Sequence, residues 1–353
     1  MKNLELIDQV TTAVLYEGYI LYPYRGPSVN NQQRWNFGVV YPRAYAEAQG
    51  GSDSWSMQTE CLLLPGAETE LEVKVRFLQL VDRTVAKLQT PLRQWPIEGD
   101  PVLEKVDRLE LNGQSYQSWE EATEREVSIS CGSIRDLEQA PKSHEFMFVE
   151  NRTLEPLRDD ANRVVAVIVR QSSFLRGEAQ LSIERAGPGV FRLRLLLINL
   201  TPFEVEGERT SPAALKGSML SVHSIAGLTS GEFISMFDPP EQFRSAAAAC
   251  SNVGTWPVLV GEEGERDTIL SSPIILYDYP RIAAEGAGEL FDNTEIDEIL
   301  SLRVMTLTDE EKRAMRAADD RARRLLERID ALPIEQFRTM HGKIEGRGQK
   351  NEG

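Results

Sequence analysis

The sequence predicts an α+β fold that is mainly β: antiparallel sheets, sandwich- or barrel-like, followed by a helical C-terminal segment. Three observations carry this. Several segments alternate apolar and polar residues, the pattern that buries one face of a strand and wets the other. The links between them are short, which suits antiparallel neighbours, because parallel strands need long crossovers. After residue 284 the alternation stops, and a capping box followed by an apolar heptad takes over.

Leu71-Glu-Val-Lys-Val-Arg-Phe77 alternates apolar and charged residues without error and reads as a strand. Leu78 to Gln89 fits either a short helix or a continuation of that strand, and Pro91 and Pro96 close the region. Val127-Ser-Ile-Ser-Cys131 and His144 to Glu150 repeat the alternation. Val164 to Val169 (VVAVIV), bracketed by Arg163 and Arg170, reads as a buried strand. It is the longest apolar run, far short of the ~20 residues a membrane-spanning helix needs. Leu181 to Arg185, Ala186-Gly-Pro-Gly189 and Val190 to Ile198 form a hairpin, whose glycines supply the positive φ of a tight connection. Asn199-Leu-Thr-Pro202 ends its second strand. Phe237-Asp-Pro-Pro240 is irregular, and Glu241 to Cys250 has helical composition.

Glu285 to Glu298 holds six acidic residues and no basic one, with Thr294 as the N-cap of a short helix. Thr308-Asp-Glu-Glu311 is a capping box, so a helix should run to Leu332, before Pro333. Met315, Ala318, Ala322, Leu325, Ile329 and Leu332 step by 3, 4, 3, 4, 3. That narrow seam packs either on its own domain or on a partner. The expected organisation is a β-rich region over 1–100, a second over 101–284, a helical segment over 285–341 and a disordered Gly-rich tail over 342–353.

Composition narrows the function classes. Among 353 residues, 39 Lys and Arg stand against 55 Asp and Glu, a formal charge of −16. Such a chain lacks the clustered cations that phosphate backbones demand, so nucleic acid is not an expected partner. Glu5 and Asp8 interrupt the first residues where a secretory leader would be apolar. Cys61, Cys131 and Cys250 form no CxxC, and read as small packing residues in a reducing cytoplasm. No membrane association is expected.

No GxGxxG, P-loop, GxSxG, HExxH or EF-hand pattern occurs, so no cofactor and no metal site is called for. Three histidines exist: His144, His223 and His341. His223, in Ser221-Val-His-Ser224 with Glu232 and Asp238 downstream, is the one candidate for a Ser-His-acid relay. The alternative is a hydrogen-bonded structural histidine.

Two stretches combine aromatic and cationic residues. The first runs from Tyr16 to Arg25, through Tyr22 and Tyr24, and on to Arg34-Trp-Asn-Phe37 and Val39-Val-Tyr-Pro-Arg43. The second is Ser271 to Arg281, ending in Tyr277, Asp278, Tyr279, Pro280 and Arg281. Tyr, Trp and Arg combine large contact area with polar tips and favour interaction hot spots. Ordinary strand filling explains the same residues equally well.

These stretches, Gly18 to Pro27 with Arg34-Trp-Asn-Phe-Gly38, and Ser271 to Arg281, together with Leu290 to Leu300 and Thr306 to Arg313, resemble an uncharacterised bacterial protein family often encoded beside nickel–iron hydrogenase genes. The resemblance covers the two ends of the chain and not its middle. It implies a role near hydrogenase assembly, with a hydrogenase subunit or maturation factor as partner, and transfers no catalytic residue.

The expectation is therefore a non-catalytic assembly, scaffold or accessory protein of the cytoplasm. It would contact a protein partner through Tyr22, Tyr24, Arg25, Arg34, Trp35, Tyr277, Tyr279 and Arg281, and through Met315, Leu325 and Ile329 of the heptad helix. Two alternatives stay open. One is an enzyme using Tyr, Arg and carboxylates on an anionic small substrate, with Arg25 or Arg34 as the clamp. The other is a carbohydrate- or small-molecule-binding sandwich with Trp35 and Trp55 as stacking platforms.

Overall fold

The structure is a computed structural model describing residues 4–17, 38–50, 53–95, 101–204 and 211–281. These residues belong to one compact unit. The helical segment expected over 285–341 and the tail over 342–353 lie outside the described residues.

Two antiparallel sheets share one core, and neither closes into a barrel. The first has the order β13 (Gly231–Phe233), β1 (Ser56–Pro65), β11 (Val190–Asn199), β10 (Leu175–Gly187) and β7 (Lys142–Phe148). The second is built around β2 (Glu70–Leu92), a strand of 23 residues. Along one edge of β2 run β12 (Leu220–Leu228) and then β9 (Val164–Ser172). Along the other run β6 (Trp119–Ser133) and then β3 (Leu103–Val106). Outside β9 lies β8 (Asn151–Arg158), and outside β12 lie β15 (Thr268–Ser272) and β14 (Trp256–Leu259). A small hairpin, β4 (Arg108–Leu111) with β5 (Gln114–Gln117), joins neither ladder and packs on the second sheet through Leu109, Leu111 and Tyr116. The β-rich regions expected on either side of residue 100 thus share a sheet.

The ambiguous stretch 78–89 is strand because both of its faces are needed. Leu71, Val73, Val75 and Phe77 point into the core against Cys61, Leu63, Leu181, Leu193 and Leu195 of the first sheet. Their neighbours Leu78 and Leu80 point the other way, onto Leu15 and Leu220. Farther along, Ala86 and Leu88 meet Val164 and Val167 on that same second face. A strand covered on both sides loses its alternation in sequence, which is what makes this segment illegible.

The hairpin at 181–198 is β10 and β11, with a register shift between Arg185 and Gly187 and Gly189 at φ +72°. Glu241–Phe243 forms a 3-10 turn leading into a short α-helix, Arg244–Ala248, as the composition predicts.

Helix α1 (Leu4–Glu17) adds an element that the strand pattern does not announce. Ile7, Val10, Thr11, Val14 and Leu15 recur at helical spacing and are buried. Leu15 packs on Leu78, Leu80 and Leu220. Arg76 of β2 donates to Thr11 Oγ1 at 2.9 Å, tying the helix to the sheet.

Near the core centre, Phe77, Phe146 and Phe148 form a ring cluster with centroids 5.8–6.2 Å apart. Gly177 of β10 lies opposite Phe146 in register, and a methyl group there would fall inside the Phe146 ring. Only glycine lets the ring lie flat on the strand.

Candidate functional site

Of the predicted contact residues, Tyr277, Tyr279 and Arg281, in the aromatic exit that ends the Ser271–Arg281 stretch, lie within the described residues, as does the Val39–Arg43 end of the first stretch. Tyr22, Tyr24, Arg25, Arg34 and Trp35 lie outside them, as do Met315, Leu325 and Ile329.

The exit is stapled. Asp278 accepts two hydrogen bonds, one from the Ser235 hydroxyl and one from the Leu259 N–H at 2.9 Å. The Tyr279 N–H donates to Leu259 O at 2.7 Å. Tyr279 itself is held at φ +57°, a left-handed conformation that costs a bulky L-residue about 1–2 kcal/mol. These bonds force the chain to turn between Tyr277 and Tyr279. Tyr279 packs against the core, whereas Tyr277 stands 73% exposed. Arg281 is exposed and paired with Glu262 at 2.6 Å.

Tyr277 does not stand alone. Phe237, 57% exposed, meets it edge to face with centroids 5.0 Å apart. The Ser235 hydroxyl that anchors Asp278 also accepts from the Asp238 N–H at 2.9 Å, so the two loops carrying the pair are locked to each other. Ile275 is 70% exposed, and Val253 and Trp256 also expose much of their side chains. Sequence reasoning misses Phe237 and Ile275. The signal is present in Phe237-Asp-Pro-Pro240, which by pattern is only an irregular link: a large aromatic beside prolines cannot be absorbed by a strand.

His223 is fully buried under α1. Its Nδ1 lies 3.0 Å from the backbone oxygen of Ser221 and, since a carbonyl only accepts, must carry the proton. The Ser221 hydroxyl instead faces Val14 O at 3.5 Å. Strand alternation would put Ser221 and His223 on one face, but the register shifts between Leu220 and His223 and Ser221 sits at φ +49°. Glu232 pairs with Arg266 at 3.8 Å. The Ser-His-acid relay therefore does not form. Burial, helped by the Arg76 charge, lowers the His223 pKa to about 4, so the ring is neutral.

The cysteines are free thiols. Burial raises the Cys61 pKa far above its ordinary value and pushes Cys131 and Cys250 up to about 11. Among the described residues no group of His, Cys, Asp and Glu could hold a metal ion. Trp55, one expected stacking platform, has the Arg43 guanidinium over its ring at 4.4 Å. Among the described residues no helix is long and apolar enough to cross a membrane.

No family model matches this chain, and no curated protein matches it either.

Proposed function

We propose that this protein is a non-catalytic assembly or accessory factor that docks a partner protein through the Phe237–Tyr277 pair. The supporting observation is that two large aromatic side chains are held out in solvent by loops that hydrogen bonds lock in place. An exposed aromatic pair is idle for folding, yet each ring can bury ~150–250 Å² against a partner. Rigid anchors lose little entropy on binding.

The partner's chemistry follows from charge. Residues 231–281 contain eight acidic and three basic side chains, and the whole chain carries −16. The matching surface has apolar pockets rimmed by Lys and Arg. The resemblance at the chain's two ends singles out a nickel–iron hydrogenase subunit or maturation factor as the protein to try first.

The test is co-purification of the full chain from its native host, beside the double variant Phe237→Ala/Tyr277→Ala. A companion protein at stoichiometric yield, lost with the variant and at high salt, supports docking at this patch. Recovery of no stoichiometric companion, or equal recovery with the variant, overturns it.

A further inference from the structure

A second feature lies away from the aromatic loops, on the core-facing side of β2. Along that face Phe77 and the residues before it are covered by the first sheet. Farther on, Ile168 and Ala166, the neighbours of Val85 and Lys87, are covered by Leu109, Leu111 and Tyr116 of the β4–β5 hairpin. Between these covers, rows 79 to 83 carry Gln79, Val81 and Arg83, and a cleft of about 280 Å³ opens there. Two chain crossings frame it: β7 passes to β8 after Phe148, and β9 passes to β10 after Ser172.

The cleft is built around guanidinium groups. Glu121 is held by Arg83 at 3.2 Å and by Arg170 at 2.8 Å, and Arg170 also grips Glu155 at 2.6 Å. Two carboxylates are thus matched by two arginines. Arg125 is the third cation in the group and has no carboxylate partner among the described residues. Its Nε donates to Gln79 Oε1 at 2.9 Å and its guanidinium lies over the Phe148 ring at 4.7 Å. Gln79 is itself fully buried and donates to Ser173 O at 2.7 Å. A half-buried guanidinium, oriented by Gln79 and Phe148 and without a carboxylate partner among the described residues, is set to receive an anion in a fork. The same burial holds the Arg125 pKa below its ordinary value.

The remaining walls carry Thr123, Asn151, Thr153 and Ser172. None of these side chains makes a hydrogen bond to another described residue, although Ser172 is almost fully buried. We infer that the cleft between β6, β8 and β9 binds a small hydroxylated oxyanion, its phosphate or carboxylate on Arg125 and its hydroxyls on the Thr, Asn and Ser side chains. The volume lies just under the ~300 Å³ lower end of small-molecule sites, which fits a sugar phosphate or hydroxycarboxylate and excludes a dinucleotide.

The experiment is calorimetric titration of the full chain with inorganic phosphate, glucose 6-phosphate, citrate and, as the uncharged control, glucose. Saturable one-to-one binding of glucose 6-phosphate or citrate, and not of glucose, is expected. Which of the two binds tells the phosphate source from the carboxylate source. Arg125→Gln should weaken that binding about tenfold or more. Thr153→Val, which keeps the cation, should weaken the hydroxylated probe more than inorganic phosphate. Silence from all three anions, glucose binding as well as they do, or unchanged affinity in both variants overturns the inference. An unfolded Arg125→Gln leaves Thr153→Val to decide.

Discussion

Acidification should destabilise this protein through one buried ring. In the folded state His223 has its pKa lowered from 6.5 to about 4, chiefly by desolvation. The charge that acts on it is Arg76 on β2, whose guanidinium is itself faced by Asp8 on α1 and by Glu124 and Glu126 on β6 at 3.3–3.9 Å. The unfolded chain binds a proton at a higher pH than the native state does. The His223 contribution to stability is therefore fully present above pH 6.5 and is lost as pH falls toward 4. Between about pH 7.5 and pH 4.5 that loss is about 2–3 kcal/mol. The assay is urea unfolding of the wild type and of His223→Leu at both pH values. Carboxylate titration is common to both proteins and cancels in the comparison. The variant removes the Nδ1 hydrogen bond, so at neutral pH it should sit within about 1 kcal/mol of wild type. Its stability should fall less on acidification, by about 2–3 kcal/mol. Equal pH slopes in the two proteins would refute a neutral, buried imidazole.

Four further outcomes are expected. Gly177→Ala should destabilise by about 1–3 kcal/mol, because the methyl displaces Phe146 from its ring cluster, and thermal unfolding reads this directly. Asn199 is fully buried and donates to Val40 O and Gly217 O while accepting from the Thr201 N–H; Asn199→Ala should cost about 2–3 kcal/mol in urea unfolding. Cys250, with its pKa near 11 against an ordinary 9.0, should present about a hundredfold less thiolate than a free cysteine and be alkylated correspondingly slowly by iodoacetamide at neutral pH, followed by mass spectrometry. Phe237→Ala/Tyr277→Ala should leave the melting temperature within about 2 °C of wild type, since both rings are mostly exposed.

Strands with one wet face are legible in the sequence alone. Leu71 to Phe77, Val127 to Cys131 and the 181–198 hairpin alternate because solvent lies on one side of them, and the chain writes that asymmetry into every second residue. The continuation of β2 past Phe77 is not legible, because α1 covers its second face and the alternation vanishes. Helix α1 has the spacing of Ile7, Val10, Val14 and Leu15 to announce it, but its charges Glu5 and Asp8 argue only against a leader peptide. Of the candidate site, Tyr277 is visible as an aromatic close to a proline, whereas its partner Phe237 comes from a loop forty residues earlier. Sequence distance hides such a pair. The Arg125 cleft is hidden for the same reason: Arg83, Glu121 and Arg170 are ordinary surface letters until three strands align them.

The length of β2 has a consequence for how this molecule comes apart. Ladders to residues as distant as 133, 172 and 228 are fastened along a single 23-residue backbone. Prying off any neighbour bares the β2 amides that it had paired and loosens the strand on which the other ladders are held, so partial opening is penalised at each step. Hydrogen exchange along this spine should switch on as one block, and its completion should wait on the late arrival of β12, which closes the widest loop among the ladders of β2.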